Sequence, residues 1–375
     1  MGAIRTTHTG SLPRPAELVA LIVERDEGGR PLGLDERVRQ AVDEIVRRQA
    51  ETGLDLVSDG EQGKVGYSTY ITDRLSGFEG EPVSISDLAE LGDFPGYGPR
   101  IGALMSTVQL KTPSCTGPVA PRETQAPAVQ RDIENLLGAG ETAGVESERL
   151  FMTAASPGVI AMFFEDHHYG DREAYLEALA NAMRPEYEAI IGAGLTLQLD
   201  APDLAASRHT TFARLDLEGF RREISLNVEA LNHALRDLPS ERLRLHVCWG
   251  NYEGPHTHDV ALADIIDIVL GARPAGLSIE ASNPRHAHEW AVFQDVRLPE
   301  GKYLIPGVVD STTNFVEHPA LVAQRLERFV SLLGAERVVG GTDCGFGTFV
   351  GLAQVEPSVA WAKLGALVEG AALLG

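Results

Sequence analysis

The clearest strand of the sequence reads Leu243-Arg-Leu-His-Val-Cys-Trp-Gly-Asn251, and Trp-Gly-Asn is typical of the turn that ends it. Residues two apart on a strand point to the same face, so His246 and Cys248 present an imidazole and a thiol side by side. These two side chains supply half of the ligands of a tetrahedral zinc site. The rest of the chain should therefore supply a scaffold and the remaining ligands.

Predicted strands and helices alternate on both sides of this stretch. The strands are predicted at 4–7, 54–58, 150–153, 195–199, 243–248, 276–279, 303–306 and 337–340. The helices are predicted at 35–52, 171–192, 217–236, 258–271, 285–293, 317–333 and 356–373. This α/β alternation indicates parallel strands with right-handed crossovers, and eight strands predict a (β/α)8 TIM barrel. A doubly wound open sheet is the alternative, but no Gly-rich phosphate-binding fingerprint follows the first strand.

One segment interrupts the alternation. Residues 76–130 are rich in Gly, Pro, Ser and Thr, which favours loops over regular elements. We predict an insertion there that forms a lid or holds at most a hairpin, at about 101–119. The whole chain, 1–375, is then one barrel domain with this insertion.

Composition excludes several classes of protein. The formal charge of −22 argues against nucleic acid or an anionic membrane as a partner. No stretch approaches the ~18 apolar residues of a membrane span, and the first residues lack the apolar core of a signal peptide. Three cysteines are too few, and an odd number, for a disulfide framework. We therefore expect a cytoplasmic protein with free thiols. Assembly into a homo-oligomer is compatible with the sequence.

Reactive side chains follow the predicted strands, where barrel enzymes carry their catalytic residues. They are Ser11, Glu61, Asp200, His246, Cys248, Glu280, Asp310 and Cys344. Because no comparable series lies at the opposite strand ends, the pattern predicts an enzyme.

Four of these residues suit a single Zn²⁺ ion, namely His246, Cys248, Cys344 and Glu280. Glu280 could instead bind substrate or support a ligand. Zinc lowers the pKa of a bound thiol, so the predicted chemistry is attack by a metal-held sulfur on an electrophilic carbon. The remaining thiol, Cys115, is typical of a small buried side chain. A second group, His256, His258, His286 and His288, is predicted to lie at the surface or to support other residues.

The motifs resemble the catalytic half of the cobalamin-independent methionine synthase family. Thr7-His-Thr-Gly-Ser-Leu-Pro-Arg14 resembles the family's Thr-x-Gly-Ser-Phe-Pro segment, which implies that Thr9 and Ser11 hold the carboxylate of an amino-acid thiol. Asp59-Gly-Glu61 resembles the Gly-Glu that binds the amino group. Gln198-Leu-Asp-Ala-Pro202 resembles Gln-Ile-Asp-Glu-Pro, which makes Asp200 a substrate-binding acid. The resemblance also implies the zinc ligands His246, Cys248, Glu280 and Cys344 in family order.

This resemblance implies a zinc-dependent thiol alkyltransferase of the 5-methyltetrahydropteroyltriglutamate–homocysteine methyltransferase type, acting in methionine biosynthesis. Asp200 and Asp310 are our predicted catalytic residues. The sequence departs from the family on the side of the methyl donor. Phe163 stands where the family has a folate-binding Trp, and Asp310-Ser-Thr-Thr-Asn314 stands where Asp-Ile-His-Ser supplies a proton-donating His. That donor is therefore missing near Ser311, and Tyr67, His167 and His168 are candidates to replace it.

Three alternatives follow from these departures. The first is a single-barrel methyltransferase with another donor, such as a methylated corrinoid or its carrier protein, whereas the family carries two barrels. The second is a reaction like that of the related epoxyalkane:coenzyme M transferase, with Arg14 or Lys64 binding a sulfonate. The third is a barrel without catalysis that only binds metal or thiol. A cofactor-free decarboxylase-like barrel would not explain Cys248 and Cys344.

Overall fold

Eight parallel strands form the centre of the molecule. The computed structural model describes residues 4–81, 88–106, 108, 110–352 and 354–375. The barrel strands are β1 (Arg5–Thr6), β2 (Val57–Ser58), β5 (Leu150–Ala155), β6 (Thr196–Asp200), β7 (Leu243–Val247), β8 (Gly276–Glu280), β9 (Tyr303–Val309) and β10 (Val339–Thr342). A separate antiparallel pair joins β3 (Leu75–Ser76) to β4 (Ala120–Pro121). All eight predicted barrel strands are therefore present.

The sheet order is β1-β10-β9-β8-β7-β6-β5-β2, which leaves β1 and β2 at its two edges. Those edges meet, because the carbonyl of Thr6 accepts hydrogen bonds from the backbone N–H groups of Asp55 (3.1 Å) and Leu56 (3.0 Å). The Asp55 carboxylate also accepts from the Thr6 hydroxyl at 3.0 Å. Eight strands that curl until their edges meet form a barrel, so the predicted (β/α)8 fold is confirmed and the open sheet is wrong.

Helices surround the strands. They are α1 (Ala16–Asp26), α2 (Leu34–Thr52), α3 (Gly98–Met105), α4 (Gln125–Ala143), α5 (Pro157–Phe163), α6 (Arg172–Gly192), α7 (Leu217–Ala234), α8 (Ile266–Leu270), α9 (Val292–Asp295), α10 (Pro319–Leu333) and α11 (Pro357–Ala372). In α2, Val38, Val42 and Ile45 follow helical spacing and are buried, and Gly53 ends the helix at φ 94°. Each such side chain contributes about 1.5–3 kcal/mol by leaving water.

The predicted insertion is organised differently from our expectation. The hairpin predicted at about 101–119 is wrong, since Gly98–Met105 is helical and the strand pair joins 75–76 with 120–121. The unpredicted helix α4 begins at Gln125, within the range assigned to the insertion. Its apolar stripe, Val129, Ile133 and Leu136, is buried, but Gly and Pro residues on either side conceal the helical pattern.

The helices predicted at 258–271 and 285–293 are much shorter in the structure. Regular α-helix covers only Ile266–Leu270 and Val292–Asp295. The preceding loops are fixed by buried side chains instead, for example by the Trp249 indole N–H, which donates to the carbonyl of Val260 at 2.7 Å. Within the part of the chain that the structure describes, no helix combines the length and the apolar character needed to cross a membrane.

A close approach of two strand ends positions the last loop of the barrel. At Gly307 in β9, an added Cβ would lie 2.5 Å from both the Cα and the backbone nitrogen of Asp343. Real Cβ atoms do not approach backbone this closely, so only glycine lets the loop after β10 pack against β9. The same loop carries Cys344.

We expect Gly307→Ala to lower the free energy of unfolding by about 1–3 kcal/mol, because the new methyl group must displace backbone. Urea unfolding followed by circular dichroism measures this change. Gly138→Ala is the matched control: its Cβ would meet nothing within 4 Å on an exposed face of α4, and the substitution should stabilise by roughly 0.5–1 kcal/mol. Equal stability of Gly307→Ala and the wild type would contradict the close approach.

Candidate metal centre and substrate cavity

One imidazole and two thiols meet at the carboxyl ends of the strands. One ligand atom from each of His246, Cys248 and Cys344 lies within 4.8 Å of the others, and all three residues are buried. The two sulfur atoms are 3.8 Å apart. All three cysteines of the chain, including buried Cys115, are free thiols. His246 and Cys248 end up together because they are two residues apart at the end of β7, whereas Cys344 follows β10.

The surroundings of this trio suit a metal cation. The Asp200 carboxylate lies 3.2 Å from Nδ1 of His246, and this carboxylate–histidine pairing orients imidazole ligands in metal sites. The backbone N–H of Gly250 donates to Cys248 Sγ at 3.3 Å. The pKa of the Cys248 thiol is raised well above its usual value, mainly by its hydrogen bond with Cys344 and secondly by burial. The buried Cys248 thiol therefore ionises only when a cation compensates its charge, and a Cys₂His donor set matches catalytic zinc sites.

Glu280 is near this trio but turned to other partners. Its carboxylate accepts from the backbone N–H of Trp249 at 2.7 Å and from the Asn283 side-chain amide at 3.0 Å. It does not belong to the group of ligand atoms that lie within 4.8 Å of one another among the described residues. The predicted role of Glu280 as a fourth ligand therefore stays a prediction.

Asp343 connects the two loops that carry these residues, and the sequence reasoning missed it. Its carboxylate accepts from the backbone N–H groups of Ala281 (2.8 Å), Ser282 (3.0 Å) and Asn283 (2.7 Å), and from the Ser282 hydroxyl (2.6 Å). The loop after β10 is thereby tied to the loop after β8. An acid directly before a cysteine ligand, in Gly-Thr-Asp-Cys, was the available signal.

A cavity of about 600 Å³ opens above the three metal-binding candidates. The four predicted thiol-binding residues line it together with them: Thr9, Ser11, Glu61 and Asp200. Thr9 donates its hydroxyl to the carbonyl of Thr342 at 2.9 Å, and the carbonyl of Ser11 accepts from the backbone N–H of Phe346 at 2.8 Å. The first and last loops of the barrel therefore form one continuous wall.

Glu61 has the most unusual environment on this wall. Its backbone is left-handed, with φ 57°, which is strained for a residue with a side chain. One carboxylate oxygen accepts from the Thr153 hydroxyl at 2.9 Å, while the other, Oε2, is buried with no hydrogen-bond partner within the described residues. Burial raises the pKa of Glu61 to about 7. An unpaired buried carboxylate beside a cavity suits a ligand with a positive charge.

The opposite half of the cavity is apolar. Most of its side chains come from the predicted insertion, which therefore covers the cavity: Leu88, Leu91, Ile101, Leu104, Met105, Val108 and Leu110. Phe163 is one of three aromatic rings there, with its ring centroid 5.9 Å from that of Tyr67 and 6.1 Å from that of Phe349. No Lys or Arg lines the cavity in the described part of the chain, and residues 1–3, 82–87, 107, 109 and 353 contain none.

Asp310 lies outside the cavity lining, which gives its predicted catalytic role no support. Its two carboxylate oxygens accept from the backbone and hydroxyl groups of Thr312 and Thr313, so they are occupied in holding their own loop. Lys363 is 4.0 Å away as a further charged neighbour. Ser311, at the position of the missing proton donor, donates its hydroxyl to the Asn251 side chain at 2.8 Å.

A second buried cluster lies beside the cavity, and the sequence reasoning did not assemble it. The Asp259 cluster consists of Asp259 and three imidazoles, those of His209, His256 and His286. His256 and His286, expected at the surface or as supporting groups, are buried, while His258 and His288 are exposed. His209 was not singled out, because the histidine and its aspartate are fifty residues apart in the sequence.

The fold and the site define a (β/α)8 barrel with a candidate metal centre at its mouth. No protein-family model matches the chain. Methionine synthase of Thermococcus kodakarensis is 25% identical over 367 residues, 97% of this chain and 91% of that protein. Methionine synthase of Saccharolobus solfataricus is 24% identical over 369 residues, covering 97% and 93%.

Solved structures agree with these sequence relatives. A B12-independent methionine synthase from Shewanella sp. W3-18-1, solved with selenomethionine, superposes with a TM-score of 0.75 at 20% identity and covers 100% of this chain and 98% of that one. A structure from Listeria monocytogenes gives 0.66 at 19% identity, covering 100% and 99%. The resemblance to the cobalamin-independent methionine synthase family is thus confirmed along the whole chain.

We expect Cys344→Ser to lose most of its bound metal, because a hydroxyl is a much weaker ligand for zinc than a thiolate. Metal analysis of protein purified from zinc-supplemented medium should give about one zinc per wild-type chain and far less for the variant. Cys115→Ser is the matched control, since that thiol is buried elsewhere and donates to the carbonyl of Gly117. Unchanged metal in Cys344→Ser would rule out the assigned ligands.

The raised pKa of Glu61 predicts a pH-dependent stability. The folded chain binds a proton at Glu61 up to about pH 7, whereas the unfolded chain releases it near 4.5. Rising pH across this window therefore favours unfolding, by about 1–3 kcal/mol in total. Glu61→Gln should match the wild type near pH 4 and exceed its unfolding free energy near pH 8. Denaturant titrations at both pH values test this, and parallel pH profiles for the two proteins would refute it.

Proposed function

We propose that the chain is a zinc-dependent thiol alkyltransferase, similar to methionine synthase, that transfers a methyl or other alkyl group to homocysteine or a similar amino-acid thiol. The observation that carries the proposal is the shared cavity, which is lined both by the clustered His246, Cys248 and Cys344 and by Glu61, whose carboxylate has one oxygen without a partner among the described residues. A metal ion at the first site would bind the sulfur of an amino-acid thiol, and the Glu61 carboxylate would bind the ammonium group at the other end of the same molecule. Both named relatives above are methionine synthases.

In the proposed complex, Glu61 binds the ammonium group, and Asp200 orients His246 while lining the same wall. Thr9 and Ser11 line the part of the cavity that would receive the carboxylate of the substrate. Zinc bound by the two cysteines and His246, with Glu280 as a further or exchangeable ligand, would hold the substrate thiol as its nucleophilic thiolate at neutral pH. The barrel wall fixes the thiol, and the apolar half of the cavity excludes water from the reacting carbon.

The charges in the cavity favour an amino-acid thiol over a sulfonated one. Arg14 donates to the carbonyls of Gly347, Glu61 and Lys64 and is absent from the cavity lining. Lys64 donates to the carbonyl and hydroxyl of Thr153 at 2.6 and 3.0 Å. Both side chains therefore already donate to groups of the protein. A coenzyme M sulfonate in the cavity would instead face the carboxylates of Glu61 and Asp200. This arrangement argues against the alternative of an epoxyalkane:coenzyme M transferase-type reaction.

The same absence of cations bears on the alkyl donor. A polyglutamyl tail would find no Lys or Arg on the described cavity wall. Leucine, methionine and phenylalanine side chains instead suit an apolar or uncharged donor group. The Shewanella relative is described as B12-independent, so a methylated corrinoid or its carrier protein gains no support.

A parallel titration of cobalt-substituted protein with homocysteine and with coenzyme M tests the thiol. We expect homocysteine, but not coenzyme M, to change the visible cobalt–thiolate absorption. A response to coenzyme M alone would support the epoxyalkane alternative, and no response to either thiol would reject direct thiol binding. Methionine formation from homocysteine with unglutamylated 5-methyltetrahydrofolate, with its triglutamate and with methylcobalamin then compares the donors.

We expect Glu61→Gln to weaken homocysteine binding about 10- to 100-fold, because a charge-assisted hydrogen bond is worth about 1.5–3 kcal/mol. The same cobalt titration measures the change in Kd. Glu229→Gln, on an exposed face of α7, should bind as the wild type does. Equal affinity of Glu61→Gln and the control would show that Glu61 does not hold the ammonium group.

A further inference from the structure

We propose that His209, held by Asp259, is the proton carrier of this active site, taking the proton of the incoming thiol and delivering it to the leaving group. The inference rests on the proposed function for its reaction, but the dyad itself rests on geometry alone. His209 is the one member of the Asp259 cluster that borders the cavity shared by the metal-binding candidates.

The Asp259 cluster is built around one buried carboxylate, whose side chain is 2% exposed. Oδ2 of Asp259 lies 2.8 Å from Nδ1 of His256 and 2.8 Å from Nε2 of His286. Oδ1 lies 2.9 Å from Nδ1 of His209. The three imidazoles outweigh burial and hold the pKa of Asp259 below its usual range. The carboxylate is therefore ionised; it accepts from His256 and His286 and is in ion-pair contact with His209.

Two of the three rings are committed at both nitrogens. The second nitrogen of His256 donates to the carbonyl of Tyr252 at 3.0 Å, and that of His286 donates to Glu289 at 2.8 Å. Because carbonyl and carboxylate oxygens only accept, both rings carry two protons. The hydrogen bonds to Asp259 accordingly outweigh burial and raise the pKa of both rings, for His286 to about 10. These rings are fixed cations that cannot exchange protons with the cavity.

His209 differs from its neighbours. Its Nδ1 lies 2.9 Å from Oδ1 of Asp259 in an ion-pair contact that lacks hydrogen-bond geometry. With Nδ1 turned to the carboxylate, Nε2 is the nitrogen left to exchange a proton with the cavity. The groups that face the ring are Asp259, His256 at 6.4 Å between ring centroids, and Tyr252 at 6.3 Å. An imidazole oriented through Nδ1 by a buried carboxylate, with Nε2 toward substrate, is the arrangement that general bases use.

The proton balance of the reaction requires such a group. The thiol S–H bond breaks and its proton moves to Nε2 of His209, whose positive charge Asp259 stabilises. The S–C bond then forms as the bond between carbon and the leaving group breaks, and the electron pair stays on the leaving group. Nε2 returns the proton to that group, so the thiol proton ends on the product and His209 is neutral again.

The other candidates for this role fit less well. His167 is half exposed and lies 3.5 Å from Glu165, and His168 is exposed; neither lines the cavity. Tyr67 does line it, but no carboxylate of the described residues bonds to its hydroxyl to stabilise a change of charge. The structure thus selects a residue that the sequence pattern did not mark.

Nitrogen NMR of histidine-labelled wild-type protein tests the dyad without any substrate. We expect one imidazole to titrate with its proton on Nδ1 in the neutral form, and its signal to disappear in His209→Asn. The signals of His256 and His286 should stay doubly protonated between about pH 6 and pH 8. A neutral His209 protonated on Nε2, or one that does not titrate, would overturn the proposal, whatever the substrate is.

Calorimetry of homocysteine binding to the zinc-loaded protein tests the proton transfer. In buffers of different ionisation enthalpy near pH 8, the wild type should release close to zero protons, because His209 retains the thiol proton. His209→Asn keeps a polar side chain next to Asp259 but has no basic nitrogen, so it should release close to one. Equal proton release by the two proteins would overturn the transfer. Absence of homocysteine binding by the wild type would instead refute the proposed function, while the NMR result still decides the dyad.

Turnover provides the last comparison. We expect His209→Asn to lower kcat by about 10²- to 10⁴-fold with zinc content and homocysteine Kd near wild-type values. His233→Asn, an exposed histidine on α7 remote from the cavity, is the matched control and should keep wild-type turnover. Wild-type kcat in His209→Asn would overturn its role in the reaction.

Discussion

The carboxylate of Asp343 is the constraint on which the candidate metal centre depends. Its four hydrogen bonds fasten the loop that carries Cys344 to the loop that follows Glu280. Hydrogen bonds to Thr9 and Ser11 hold the Cys344 loop against the first loop of the barrel, and the Asp343 carboxylate holds it against the loop after β8. Because both oxygens of this buried carboxylate have hydrogen-bond donors, moving either loop would leave buried polar atoms without partners. The two loops are therefore held rigidly. Gly307 makes room for this contact by having no side chain.

The cavity above the metal centre has two halves of different origin. Its polar half comes from strand ends of the barrel, which are rigid and fully buried. Its apolar half comes largely from the inserted segment between β3 and β4, including α3. Under the proposed function, binding of the nucleophile would depend on the barrel itself, while selection of the electrophile would depend on a covering segment that can change without disturbing the barrel. The retained thiol-side motifs and the altered Phe163 and Ser311 follow this division.

The sequence predicted the barrel well because the alternating pattern of strands and helices is repeated eight times and is insensitive to error in any one element. It predicted that His246, Cys248 and Cys344 meet, because the first two are two residues apart at the end of β7 and the third lies in a Gly-rich loop. It failed where structure depends on tertiary partners. Helix α4 is concealed by nearby Gly and Pro, and the short α8 and α9 lose their first turns to loops fixed by buried hydrogen bonds.

The Asp259 cluster shows the same limit within the site. His209 and Asp259 come from the loops after different strands, and no local spacing relates them. The predicted catalytic acid Asp310 shows the converse, because a carboxylate at a strand end can be used up entirely by its own loop. Position at a strand end is therefore an insufficient signal for a catalytic role.

The closure of the barrel has a consequence for how substrate and scaffold affect each other. Strands β1 and β2 are two residues each and meet largely through the carbonyl of Thr6, so this seam is the least reinforced junction of the ring. The loops that leave its two sides carry Ser11 and Glu61. In the proposed complex, an amino acid whose carboxylate meets one loop and whose ammonium meets the other would connect the two sides of the seam. The ligand would then slow hydrogen exchange of the Asp55 and Leu56 amides, because the stability of this junction would depend partly on bound substrate.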